Sequence, residues 1–343
     1  MKKLRLLLLP IGWLYGVITG IRNSLYSHGV LKSYEIPQKS IVIGNLSTGG
    51  TGKTPHVDYL LNYYINAQYK VSSLSRGYGR KSKGVLLATD QSTSDEIGDE
   101  PLLYKFRHGS SVNVVVAESR KDGVDFIGDK FPDNDIIILD DAFQHRAVKA
   151  GVNILISEYD HLYCDDYILP AGNLREWKYG AKRSDLLIVS KCPPDMTSEE
   201  KEQVRKKLNY PGKHIFFSSI IYDQLIPLNP NVDSSFSTIV LVTGIANPTP
   251  LIKHLEKQAK VEHLSFGDHH EFKRGDIERI HEKFDTFASS DKIIVTTEKD
   301  YMRLLKFDQV KDENYRWHYQ PITLNIDNEQ KFNSLLDEYI GKF

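Results

Sequence analysis

Cysteine is almost missing from this chain: Cys164 and Cys192 are the only two among 343 residues. Two thiols cannot staple a protein of this length, so a disulfide framework is excluded and a reducing compartment fits. Neither has a cysteine or histidine partner at metal-ligand spacing, which argues against a zinc site. Net charge is missing too. The 44 Lys and Arg nearly cancel the 45 Asp and Glu, leaving −1, so no global field draws the protein to nucleic acid and no such partner is expected. Obvious repeats and low-complexity tracts are absent. The 19 tyrosines show no spacing suited to base stacking and read as structural.

Long apolar runs are scarce, and the single candidate lies at the start. Lys2, Lys3 and Arg5 precede an uncharged stretch from Leu6 to Ile21, closed by Arg22. A signal peptide would need a small-residue cleavage site, and Ala-x-Ala is missing. A spanning helix needs about 20 apolar residues; this run is shorter and holds Pro10, Gly12, Gly16 and Gly20. A helix lying in one leaflet fits better, with Trp13 and Tyr15 at headgroup level and the flanking cations facing anionic lipid. A helix packed on the protein's own core is the remaining alternative. Without an export signal, the body of the chain is expected in the cytoplasm.

What is present is a soluble globular composition, 40% apolar and 26% charged, in a chain long enough for two domains. From residue 40 to about 220, short Ile- and Val-rich runs alternate with amphipathic stretches. Strands are expected at 40–45, 71–75, 84–89, 112–117, 135–141, 152–157, 186–190 and 215–220. Helices are expected at 54–67, 100–107 and 198–208. That alternation predicts a doubly wound α/β sheet of the P-loop NTPase kind. A Pro-, Asn- and Ser-rich stretch at 222–237 reads as a linker. A smaller α/β unit should follow, with strands at 238–243, 261–265, 292–296 and 320–326 and helices at 250–258, 274–287 and 329–340. The expected organisation is therefore an N-terminal membrane-associated helix over 1–30, a kinase-type domain over 31–225 and a smaller domain over 226–343.

The strand ending at Asn45 runs into Ser47-Thr48-Gly49-Gly50-Thr51-Gly52-Lys53-Thr54, and a helix follows. This is a phosphate loop with Ser47 in place of the usual first glycine. Gly49, Gly50 and Gly52 let backbone N–H groups turn inward on phosphates. Lys53 supplies a point charge to the β- and γ-phosphates, Thr54 a hydroxyl for Mg²⁺, and the helix N-terminus adds partial positive charge. ATP is the expected nucleotide. An apolar strand from Asp135 ends in Asp140-Asp141, the strand-end acids that such chemistry uses to hold the metal or its waters. A membrane-associated partitioning ATPase would share the loop, but places a lysine where this chain has Thr48.

The motifs then come in a characteristic order: Gly44-Asn45-Leu46-Ser47 through Pro55, Ser75-Arg76-Gly77-Tyr78-Gly79-Arg80, Gly98-Asp99-Glu100-Pro101, Asp140-Asp141-Ala142-Phe143-Gln144-His145-Arg146, Pro170-Ala171-Gly172-Asn173-Leu174-Arg175-Glu176, Asp268-His269-His270 and Thr297-Glu298-Lys299-Asp300. This series resembles the tetraacyldisaccharide 4′-kinase family, the lipid A 4′-kinases of Gram-negative bacteria, over nearly the whole chain. The family usually has glycine at Ala142, which matters only if the backbone there needs positive φ. The resemblance implies γ-phosphoryl transfer from ATP to the 4′-hydroxyl of an acylated glucosamine disaccharide 1-phosphate, at the cytoplasmic face of the inner membrane. It implies Asp99 as base, supported by His269 from the other domain once the cleft closes; a helix N-cap is the competing role for Asp99. Thr54, Asp140, Asp141 and Glu176 are the metal candidates. Arg76, Arg120, His145 and Arg175 are the candidates for the anionic sugar phosphate, arginine being phosphate's natural bidentate partner.

Overall fold

The computed structural model describes residues 5–210, 212, 214–229, 236–288 and 291–341. Its larger sheet has nine strands in the spatial order Ile322–Ile326, His214–Tyr222, Leu186–Ser190, Val152–Glu158, Lys39–Asn45, Ile136–Asp140, Val71–Ser75, Val112–Val116, Leu86–Leu87. The seven inner strands are parallel and both outer ones pair antiparallel. Alternation within the strands shows why they read as unbroken apolar runs. Ile136 and Ile138 enter one core layer, while Ile137 and Leu139 enter the layer on the opposite face. Successive side chains point to opposite faces, and both faces are covered.

The second sheet runs Ile226–Pro227, Trp317–Gln320, Lys292–Thr297, Thr238–Thr243, Lys260–Ser265, parallel except at the Ile226–Pro227 edge. It carries core layers of its own on its two faces. The expected linker at 222–237 is partly strand: it begins at the end of His214–Tyr222 and includes the Ile226–Pro227 edge, while residues 230–235 lie outside those described.

Three expectations need correction. The single strand expected over 320–326 is two strands in different sheets, Trp317–Gln320 and Ile322–Ile326, separated by Pro321. Proline has no N–H for a ladder, so pairing breaks there. Among the described residues the second unit's sheet accordingly ends at Gln320. Ile322–Ile326 pairs with His214–Tyr222, and the helix Glu329–Gly341 buries Phe332, Leu336 and Ile340 in the larger domain's core. Finally, the strand expected over 84–89 shrinks to Leu86–Leu87 at the sheet edge. Two longer helices escaped the sequence reading, Arg120–Lys130 and Glu298–Leu304, as did the single turn Ser94–Ile97. The first hides behind two glycines, and Gly123 is required because a Cβ there would lie 2.5 Å from Leu74 Cδ1.

The N-terminal stretch forms a short 3₁₀ turn, Leu6–Leu8, and a helix, Leu9–Ser27, long and apolar enough to cross a membrane by length and composition. Its buried residues are Gly12, Gly16 and Asn23. The glycines let the helix lie close on the segment 168–177, and a Cβ on Gly16 would run into the Trp177 indole. The opposite side leaves Leu7, Ile11, Leu14, Val17, Ile18 and Ile21 exposed. Packing on the body and an open apolar face, alternatives in sequence, occupy two sides of one helix.

Candidate active site

The phosphate loop joins the strand Lys39–Asn45 to the helix Lys53–Asn66. Gly49 and Gly52 adopt φ of +103° and +85°, a region costly for any residue with a Cβ. At Gly49 and Gly50 an added Cβ would meet nothing within 4 Å, so the loop's backbone faces open space. Ser47 has no positive φ, which is why serine serves where glycine is usual. Asn45, fully buried, ties the loop's two ends together. Its Nδ2 donates to Thr51 Oγ1 at 2.7 Å, and its Oδ1 accepts from Lys53 Nζ at 3.3 Å.

That open space is a cavity of about 750 Å³ between the two sheets, lined by the loop, by Asp140 and Asp141, and by Asn247, His269 and Lys299 from the second unit. Asp140 receives a hydrogen bond from Tyr104 Oη at 2.8 Å. Burial, then the negative charges of Glu100 and Asp141, push its carboxyl well above the usual range, with Lys53 only partly compensating. Asp141 lies lower: Lys53 and Arg175 outweigh its burial. Positive φ in this turn falls on Asp141 (+47°) and not on Ala142, so alanine at the family's glycine position brings no backbone strain.

Asp99 opens the helix Asp99–His108, and Gly98, at φ +92°, is its N-cap residue. Asp99 Oδ2 instead faces the second unit. His269 Nδ1 lies 3.4 Å away, Arg303 Nε 3.3 Å and Lys299 Nζ 3.8 Å. Burial alone would raise this carboxyl, but His269, Lys299 and Arg303 together hold it below the ordinary range. None of the three makes an aligned hydrogen bond, so Oδ2 is a buried acceptor still unused among the described residues. Arg303 also donates to His270 O at 3.1 Å and pairs with fully buried Asp300, which accepts from Gly244 N at 2.9 Å. A carboxylate and an imidazole from two units thus meet at the mouth of a phosphate loop. The model of the family described as tetraacyldisaccharide-1-P 4′-kinase matches residues 4–341.

The chain belongs to this family. It is 42% identical to the tetraacyldisaccharide 4′-kinase of Flavobacterium psychrophilum, covering 99% of this chain and 98% of the relative. With the enzyme of that name from Bacteroides thetaiotaomicron it shares 40% identity, covering 97% and 92%. Among solved structures it is similar to Aquifex aeolicus LpxK in complex with ATP, at TM-score 0.76 and 30% identity, over 98% of this chain and 99% of that one.

The candidates read from sequence divide into three groups. Ser47 through Thr54 form the loop, Asp140, Asp141 and His269 line the cavity, and Asp99 lies behind its wall in contact with His269 and Lys299. Arg76, Arg120 and His145 line it as well. Burial, then Arg120 and Arg76, press the His145 imidazole down to about 4, so it is neutral at pH 7. Burial likewise brings the Arg120 guanidinium to about 10, and its Nε has no partner among the described residues.

Two candidates are already engaged within the protein, Arg175 at the cavity wall and Glu176 behind it. Glu176 is 2% exposed, and its carboxylate is filled by Arg183 (2.8 Å to each oxygen), Asn23 and Gln144. Both oxygens of this acid are thus engaged within the protein. Arg175 is also engaged, with Asp141, Asn45 and the Ser47 carbonyl, and so braces the phosphate loop. Sequence reasoning missed Glu100, Lys299 and Arg303. Glu100 Oε1 sits 3.0 Å from Lys299 Nζ and 3.5 Å from Thr54 Oγ1. Glu100 and Lys299 stand inside recognised motifs, whereas Arg303 has no local signal.

Proposed function

We propose that this enzyme transfers the γ-phosphoryl group of ATP to the 4′-hydroxyl of a tetraacylated glucosamine disaccharide 1-phosphate, a step of lipid A synthesis. The observation that carries the reading is the approach of His269 to within 3.4 Å of Asp99 at the entrance to the phosphate loop. Phosphoryl transfer needs placement, charge stabilisation and one acceptor for the hydroxyl proton. Backbone amides of Gly49 to Thr54 and Lys53 Nζ hold the β- and γ-phosphates. Asp99 Oδ2, buried and without an aligned donor, accepts the proton of the incoming hydroxyl. His269, Lys299 and Arg303 keep that carboxylate ionised, and they come from the second unit, so the base is complete only when the cleft is closed.

Mg²⁺ suits the acids present. Among the described residues no three His, Cys, Asp or Glu side chains are grouped for a metal, and Mg²⁺ is usually held by one or two carboxylates together with substrate phosphates. Asp140 and Asp141, which line the same cavity as Thr54, would supply that partial set. When bound, the ion neutralises charge building on the transferred group. Arg76, Arg120 and His145 receive the sugar's anionic phosphate.

The lipid sets the location. Each buried CH₂ of an acyl chain holds a substrate in the bilayer by about 0.8 kcal/mol, so the enzyme works at the membrane. The exposed side of Leu9–Ser27 is the surface that meets it, at the cytoplasmic face of the inner membrane. With γ-labelled ATP, Mg²⁺ and the acylated disaccharide in detergent, label should appear in the lipid. Label appearing only as inorganic phosphate would point to a nucleotide-driven membrane switch instead.

A further inference from the structure

Asn23 is the only polar side chain that the N-terminal helix buries; it is 7% exposed in a helix whose other buried residues are glycines. A buried amide must find partners. Asn23 Nδ2 donates to Glu176 Oε2 at 2.7 Å. Glu176 Oε1 accepts from Gln144 Nε2 at 3.1 Å, and the same nitrogen donates to the Asn45 carbonyl at 2.8 Å. Asn45 Oδ1 then accepts from Lys53 Nζ. Four side chains therefore connect an apolar surface helix to the lysine that grips phosphate. Two further contacts rest the helix on the same strips of chain: Tyr15 Oη donates to the Arg175 carbonyl at 3.0 Å, and Arg22 Nη1 to the Gln144 carbonyl at 3.3 Å.

A helix that only anchored the protein would have no need of these bonds. Lipid attachment uses the exposed side, and the glycine face alone would let the helix lie close. We propose that the N-terminal helix is part of the phosphate-loop scaffold, and that Asn23 is a positioning residue which, through Glu176 and Gln144, sets Asn45 and Lys53 for phosphoryl transfer. Docking of the helix and competence of the loop are then one event. The proposal rests on the kinase reading, although its binding readout does not.

The test uses the full-length protein in detergent micelles, where the lipid is delivered without a bilayer and anchoring no longer limits the rate. Asn23→Leu keeps the helix apolar and removes one donor from a buried carboxylate. The affinity for a fluorescent ATP analogue should fall several-fold, and kcat at saturating lipid by about tenfold, the scale of a lost hydrogen bond to a charged group, while KM for the lipid stays within about twofold. Loss confined to lipid KM, with analogue affinity and kcat at the unaltered enzyme's values, overturns the proposal. Should Asn23→Leu fail to fold, Asn23→Ser and Asn23→Ala differ by a hydroxyl that can donate to Glu176. The serine enzyme should bind the analogue several-fold more tightly, and equal affinities overturn the proposal. Lack of lipid phosphorylation by the unaltered enzyme would instead count against the kinase reading, leaving the binding comparison valid.

Discussion

His56 stands in the first turn of the helix after the phosphate loop and is 2% exposed. Its Nδ1 lies 2.7 Å from the Gly52 carbonyl, which only accepts, so Nδ1 carries the proton and Nε2 takes the Ser218 hydroxyl at 2.9 Å. Burial is the main cause that presses this imidazole from 6.5 down to about 4, against a smaller upward pull from the Gly52 carbonyl. The folded protein therefore keeps His56 neutral, whereas the unfolded chain takes up a proton below about 6.5. Stability from this residue is fully present above pH 6.5 and is lost as pH falls towards 4, at about 1.4 kcal/mol per pH unit once well below 6.5. The whole window is worth about 3 kcal/mol. His56→Gln retains an amide donor for Gly52 and removes the titration. Urea unfolding of both proteins at several pH values between 7 and 4.5 isolates this residue, because the other acids are common to both. The difference in unfolding free energy between the two should shrink by about 2 kcal/mol over that range. Parallel curves would refute the assignment of a buried neutral imidazole beneath the loop.

Other consequences are as direct. Asp99→Ala should lower turnover by about 10²–10⁴-fold with little change in the affinity for a fluorescent ATP analogue; near-normal turnover would remove Asp99 from the chemistry. Gly49→Ala has room for its methyl but not the right backbone: φ of +103° should cost about 1–3 kcal/mol, seen as a lower melting temperature and weaker nucleotide binding. Phe332→Ala opens the core where the C-terminal helix returns to the larger domain and should cost about 3–5 kcal/mol. If the last helix belonged with the second unit, that variant would leave the larger domain's hydrogen-exchange protection unaltered.

Legibility tracked the range of the interaction. The strands at Val71–Ser75, Leu186–Ser190 and Thr238–Thr243 have the expected ends, because a strand covered on both faces announces itself as a short apolar run. Leu86–Leu87 did not fit, since an edge strand makes few of the pairings its composition would allow. The return at Pro321 was hidden in one continuous apolar stretch, as the residues flanking the proline differ in partner and not in character. At the site, the glycine turn through Gly49 and Gly52 between a strand and a helix could be read directly. The partners of Glu176 and Arg175 were hidden for a common reason: an acid and a base near phosphate machinery look free in one dimension, and Asn23, Arg183 and Asn45 lie between 7 and 153 residues away.

The sequence by itself determined the glycine-rich turn from strand to helix, the strand-end acids and the order of motifs that marks the family. The first two depend on local chemistry within about ten residues: glycines that permit positive φ, a strand turning into a helix, an apolar run ending in acids. Only the tertiary structure decided that His269, Lys299 and Arg303 from the second unit surround Asp99, that the Glu176 oxygens all have partners, and that an apolar helix reaches Lys53 through Asn23. Those contacts arise from chain reversals that bring distant residues together, and a lone charged or amide side chain has no periodicity with which to announce its partner.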